Sequence, residues 1–151
     1  MRLLGCALLA SLTLSAGVPD VQAVYLLPMS GGLDQYLANR LTSAQVFRVV
    51  TDPKLADAIF TDQLGEAFER KLSDLYAPPE PPDSEKGDRD EKPAPRVSSF
   101  SRGRGTIFLV NVKSHAVIWS SFQKRIKSTP AVLDRTADRI VQQIKKQQKT
   151  K

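Results

Sequence analysis

The chain has 151 residues, 41% of them hydrophobic and 25% charged, with a formal net charge of +6. That size supports one domain around one modest core, and the composition excludes collagenous and wholly disordered chains. Cys6 is the only cysteine, which excludes a disulfide framework and a Cys-based metal site within the chain.

Arg2 opens the chain as a minimal positive segment, and residues 3–16 form a continuous stretch of apolar and small side chains. Val21-Gln22-Ala23 then fits the small-x-small cleavage rule. Together these read as a secretory signal peptide over residues 1–23, cut after Ala23, with Val24 opening the mature chain. The apolar stretch is short of the roughly 20 residues that span a bilayer, and no second candidate follows. The expectation is export to the periplasm or beyond, with no transmembrane segment in the mature chain. Leu3-Leu4-Gly5-Cys6 resembles a lipobox, but a lipid-modified cysteine should follow an apolar run and Cys6 sits inside one. Cys6 is read as part of the leader; a lipid anchor there would need a start codon further upstream.

The elements follow in order. Residues 24–29 form a short apolar run, predicted as a buried strand. Leu33, Tyr36, Leu37, Leu41 and Ala44 recur at helical spacing, which predicts a helix over 33–44. Val46 to Val50 is rich in β-branched residues and stops before Asp52-Pro53, so 46–50 is predicted as a strand. "DPKLAD" can hold one helical turn with Pro53 first, and 58–61 is a third strand. Leu64, Ala67, Phe68, Leu72, Leu75 and Tyr76 predict a helix over 64–76.

The pattern stops at Ala77. Residues 77–104 are rich in Pro and charge with little to bury, so they read as a disordered insertion. "TIFLVNVK" (106–113) and "AVIWSSF" (116–122) predict a hairpin, with a turn at Ser114-His115 that lacks the favoured turn chemistry. Both strands are apolar on both faces at their centres and are expected inside the sheet. Thr129-Pro130 starts a last helix over 130–147, leaving a basic tail at 148–151. The order β-α-β-β-α, insertion, β-β-α predicts an α/β two-layer sandwich on a mixed sheet of about five strands. The insertion divides the sequence but not the core, because neither half has strands enough to stand alone.

Several clusters are candidates for function. Ser30-Gly31-Gly32-Leu33-Asp34, between a strand and a helix, resembles the phosphate-grasping loop of ATP pyrophosphatases. Glycines there would let backbone N–H groups approach an anion at a helix N-terminus. The pyrophosphatase motif continues with serine after the Asp, where this chain has Gln35. The competing reading is a glycine turn with Asp34 placed where the helix dipole favours negative charge. Asp52, Asp57 and Asp62 recur every five residues, yet each has ordinary turn chemistry and none fits an EF-hand. His115 is the only histidine and falls at a turn. A Ser-His pair adjacent in sequence is not a catalytic arrangement. Trp119 reads as core. The sequence assigns no catalytic residue, no metal and no cofactor.

The C-terminal region is strongly basic. Lys124, Arg125, Lys127, Arg135, Arg139, Lys145, Lys146, Lys149 and Lys151 face only Asp134 and Asp138, nine cations against two anions. Lys124, Arg125, Lys127, Arg135, Arg139, Lys145 and Lys146 are the candidate contacts for a partner or an anionic envelope surface. Nucleic acid is not expected, because the leader argues for export and no stacking aromatics accompany the charge.

"RVVTDPKLADAIFTD" and "GTIFLVNVKSHAVIWSSFQKR" resemble a loose group of exported bacterial envelope proteins. The group includes the curli-secretion lipoproteins, the penicillin-binding-protein activators and the TolB amino-terminal domain. Shared features are an Ala-Asp pair before a strand, like Ala56-Asp57, a hairpin ending in hydrophobic-Trp-Ser, and a closing helix. What the resemblance implies is a non-catalytic binding or accessory role in envelope assembly or transport. The alternative is a small exported enzyme or nucleotide binder that uses the loop from Ser30 to Asp34.

Overall fold

A computed structural model of the chain describes residues 18–77, 105–124 and 129–149. The expected insertion, apart from Ala77, lies outside the described residues, as do Cys6, Arg125 and Lys127. Five strands make one sheet: β1 (Ala23–Leu26), β2 (Arg48–Val49), β3 (Ala58–Thr61), β4 (Thr106–Asn111) and β5 (Val117–Phe122). Their order is β2-β1-β3-β4-β5, with β1 parallel to β2 and β3, and β4 antiparallel to both β3 and β5. The helices are α1 (Leu33–Ser43), α2 (Glu66–Tyr76) and α3 (Pro130–Lys149). The mixed α/β sheet expected from the sequence is therefore present, with the elements in the expected order.

Strand alternation assigns the two faces. Val24, Ala58, Phe60, Ile107 and Leu109 point to the side where α1 supplies Leu33, Leu37 and Leu41, and α3 supplies Leu133, Ala137, Ile140, Val141 and Ile144. These residues are all buried. Ile59 and Val110 point the other way, where α2 contributes Phe68 and Leu72. One helix layer thus covers the whole sheet, and α2 covers part of the opposite face. Phe60 lies at the centre of the larger core, with Phe47 and Trp119 rings each 6.3 Å away, Trp119 edge-on. Such an arrangement adds about 1 kcal/mol beyond area burial for each pair.

Three local differences from the sequence expectation have physical causes. β2 keeps only two residues, because Val46 and Phe47 are used elsewhere. The Val46 N–H donates to the Leu41 carbonyl at the end of α1, and Phe47 is buried in the core. β5 is not an inner strand; it forms one edge of the sheet, and Phe122 on it is 67% exposed. A register shift where Val110 pairs with Val117 and Leu109 with Trp119 leaves Ile118 as an extra residue. That bulge is why β5 looked apolar on both faces. The hairpin turn is built on Asn111 rather than on Ser114-His115. Its side-chain oxygen accepts from the Lys113 and Ser114 N–H groups, its carbonyl accepts from the His115 N–H, and His115 itself takes φ 54°.

Arg40 on α1 grips Asp134 on α3 through two parallel hydrogen bonds, 2.8 and 2.5 Å. The bond to Arg40 holds the Asp134 carboxyl below its ordinary value of 3.8. Both side chains are more than a third exposed, so the pair orients the helices and adds little stability.

Two tests follow from this architecture. Phe60→Ala should lower the unfolding free energy by roughly 3–5 kcal/mol with an unchanged urea slope, since it opens a cavity at the core centre. The carboxyl of Asp134 is lowered in the folded state, so its contribution is present above its ordinary pKa and is lost as pH falls through the lower folded value. The stability difference between wild type and Asp134→Asn should therefore be constant near neutral pH and shrink below pH 3.8 in urea titrations.

Candidate functional site

Two parts of the surface gather the residues singled out from the sequence. The first is the loop between β1 and α1. β1 and β3 run parallel, and the chain leaves β1 for a helix on one face and β3 for a helix on the other. The C-terminal ends of two such strands form the crevice where open α/β sheets often hold ligands. Ser30, Gly31, Gly32 and Asp34 sit at this point, facing Asp62 at the end of β3.

The loop's own bonds decide what it can hold. Gly31 and Gly32 take φ 73° and 78°, a left-handed path that only glycine adopts twice in succession without strain. That path brings the Ser30 N–H and hydroxyl onto one carboxylate oxygen of Asp62, at 2.9 and 2.7 Å. Asp34 turns back to accept the Met29 N–H at 3.1 Å, and the Gly32 N–H donates to the Met29 carbonyl. Four donors of the loop, three backbone N–H groups and one hydroxyl, are therefore occupied by protein acceptors. Two of those acceptors are carboxylates, whose negative charge repels a phosphate. Asp62 is 7% exposed and its second oxygen, Oδ1, is buried without a protein partner. Such an atom is satisfied by a buried water or held at a cost. The geometry is that of a strand-to-helix connection pinned by two carboxylates.

The aspartates spaced by five serve the backbone in the same way. Asp52 accepts the Lys54 N–H at the turn Pro53–Leu55, and Asp57 accepts the Gln22 and Ala23 N–H groups at 3.1 and 2.9 Å. Among the described residues no group of three or more His, Cys, Asp or Glu could hold a metal. His115 lies at the turn as expected, and its Nδ1 is 3.1 Å from the Glu69 carboxylate on α2, a partner 46 residues away. Trp119 is core, 6% exposed.

The second part is basic. Val132, Arg135, Thr136 and Arg139 share one face of α3 at the i, i+3, i+4, i+7 spacing. With Gln123 and Lys124, which follow β5, they line a cleft of about 180 Å³. Gln123 is buried; its amide donates to the Ser121 hydroxyl at 2.8 Å and its carbonyl accepts from Arg139 at 3.3 Å. Arg135 is held through Nε, which donates to the Ala131 carbonyl at 3.1 Å. None of the six lining residues is acidic. Asp134 is engaged by Arg40 on α1, and Asp138 also acts electrostatically on Arg40, so both face away from the cleft. Like charges at i and i+4 repel on a helix, and an anion between them relieves that repulsion.

Of the basic residues expected to act together, the structure gathers Lys124, Arg135 and Arg139. Lys146 returns to the Arg139 side of α3 about 10 Å further along, by helical periodicity, whereas Lys145 falls on another face. The participation of Gln123 and Thr136 was not foreseen. The i, i+4 relation of Thr136 to Val132 placed it on the face, but nothing local marked Gln123. No helix among the described residues is long and apolar enough to cross a membrane.

Compared with protein-family models, curated proteins and solved structures, the chain matches none.

If the loop is structural, Asp62→Ala should cost about 1–3 kcal/mol, since it strands the Ser30 N–H. Mg-ATP should leave the thermal midpoint of the wild-type protein unchanged. An ATP-dependent rise that Ser30→Ala removes would show instead that the loop binds nucleotide.

Proposed function

We propose that this is an exported, non-catalytic binding module that attaches to an anionic surface of the cell envelope through the cleft between β5 and α3. The observation that carries the reading is the convergence of Lys124, Arg135 and Arg139 on one cleft with no carboxylate in its lining. Export is supported by the leader-like residues at the N-terminus. The resemblance to envelope assembly and transport proteins supports the accessory role.

The chemistry follows from the side chains. Arg135 and Arg139 offer planar guanidinium forks that suit phosphate oxygens, and Lys124 adds a mobile point charge from across the cleft. The Gln123 carbonyl accepts from Arg139 and so holds its guanidinium at the cleft. Phosphate-bearing lipid head groups provide the matching anion, and each cation near such a surface is worth roughly 1 kcal/mol.

Co-sedimentation with phosphatidylglycerol vesicles tests the reading. Binding should be strong at low salt, should fall as salt screens the charges, and should be absent with neutral phosphatidylcholine vesicles. Replacing Arg135 and Arg139 together by Ala should weaken binding roughly 30-fold, from about 1 kcal/mol per residue. Unchanged binding in that variant, or none by the wild type at low salt, would contradict the proposal.

A further inference from the structure

We infer that the leader is cut between Gly17 and Val18, so that residues 18–23 remain in the exported protein as part of its core. This rests on the export reading above. The cleavage rule alone does not choose a position. Ser15-Ala16-Gly17 is also a small-x-small triplet, and it directly follows the apolar run, whereas Val21-Gln22-Ala23 lies beyond Pro19 and Asp20.

The fold separates the two positions. Val18 opens a 3-10 turn, Val18–Asp20, that rests on α3. Val18 and Val21 are each 5% exposed and belong to the core that α1 and α3 share with the sheet. Ala23, 1% exposed, is the first residue of β1 and pairs with Arg48 of β2.

The backbone of residues 22–23 is bonded on both sides. The Gln22 carbonyl accepts the Arg48 N–H at 2.8 Å, and the Ala23 carbonyl accepts the Asp57 N–H at 2.9 Å. The carboxylate of Asp57 accepts both the Gln22 and Ala23 N–H groups. Among the described residues that carboxylate accepts no other hydrogen bond, so the aspartate just before β3 is committed to residues that a cut after Ala23 would discard.

A cut after Ala23 has three consequences. It removes two buried valines and leaves a cavity against α3. The N–H groups of Arg48 and Asp57 lose their acceptors. It also places an ammonium on Val24, which is fully buried in β1. A cut after Gly17 keeps both valines and both acceptors, and places the new ammonium on Val18 at the start of the 3-10 turn rather than inside a paired strand.

The test is intact-mass measurement and N-terminal sequencing of the full chain after export from a bacterial host. An N-terminus at Val18 is the expected result. An N-terminus at Val24 overturns this inference and leaves export standing, whereas uncut chain retained with Met1 overturns both. A second measurement is independent of the peptidase: urea unfolding of chains made to start at Val18 and at Val24. The shorter chain should unfold at a clearly lower urea midpoint or fail to fold, and equal midpoints would overturn the claim that residues 18–23 belong to the core.

Discussion

The structure depends on β3. Every residue from Ala58 to Thr61 is buried, and the strand is paired on both edges, in parallel with β1 and antiparallel with β4. Four residues must therefore satisfy two ladders and fill two faces. Ala58 and Phe60 fill the face under α1 and α3, and Ile59 fills the face under α2. A strand in this position tolerates no charge and no proline, and its sequence, Ala-Ile-Phe-Thr, has neither. The two halves of the chain meet across the β3–β4 ladder and again where α1 packs on α3. The long stretch between α2 and β4 thus separates the sequence without separating the core.

The polar groups around β3 explain how charge is distributed. Asp57 just before the strand and Asp62 just after it each accept two hydrogen bonds from neighbouring chain, and Asp34 and Asp52 accept backbone N–H groups in the same way. Asp134 is held by Arg40. Much of the acidic complement of the fold is thereby committed to structure, while Lys124, Arg135 and Arg139 stand exposed at the cleft. The basic character proposed for binding is the counterpart of this use of aspartate. Carboxylates hold the turns at both ends of β3, and the cleft that holds Lys124, Arg135 and Arg139 has none in its lining.

Much of this was legible in the sequence. Ala58 to Thr61 emerged with its observed limits, because a buried strand between Asp turns has sharp boundaries. The helices emerged within a few residues, because their apolar stripes are regular. The errors arose where one residue serves a distant partner. Phe47 looked like strand and is core; Ile118 is an extra residue in a bulge, so alternation along β5 misled. The Arg40–Asp134 pair spans 94 residues and leaves no local mark. At the glycine loop the motif was visible, but its meaning depended on Asp62, 32 residues away from Ser30. At the basic cleft the spacing of Arg135 and Arg139 on α3 was readable, whereas the arrival of Lys124 beside them required the sheet.

Native-state amide hydrogen exchange tests the claim that one core, joined at β3, holds both halves. The amides of Phe60 in β3, Leu109 in β4 and Ile140 in α3 should exchange only through global unfolding, with one common free energy equal to that from urea denaturation. A distinctly lower opening free energy for β4 and α3 than for β3 would show two units that unfold separately, and would contradict the account.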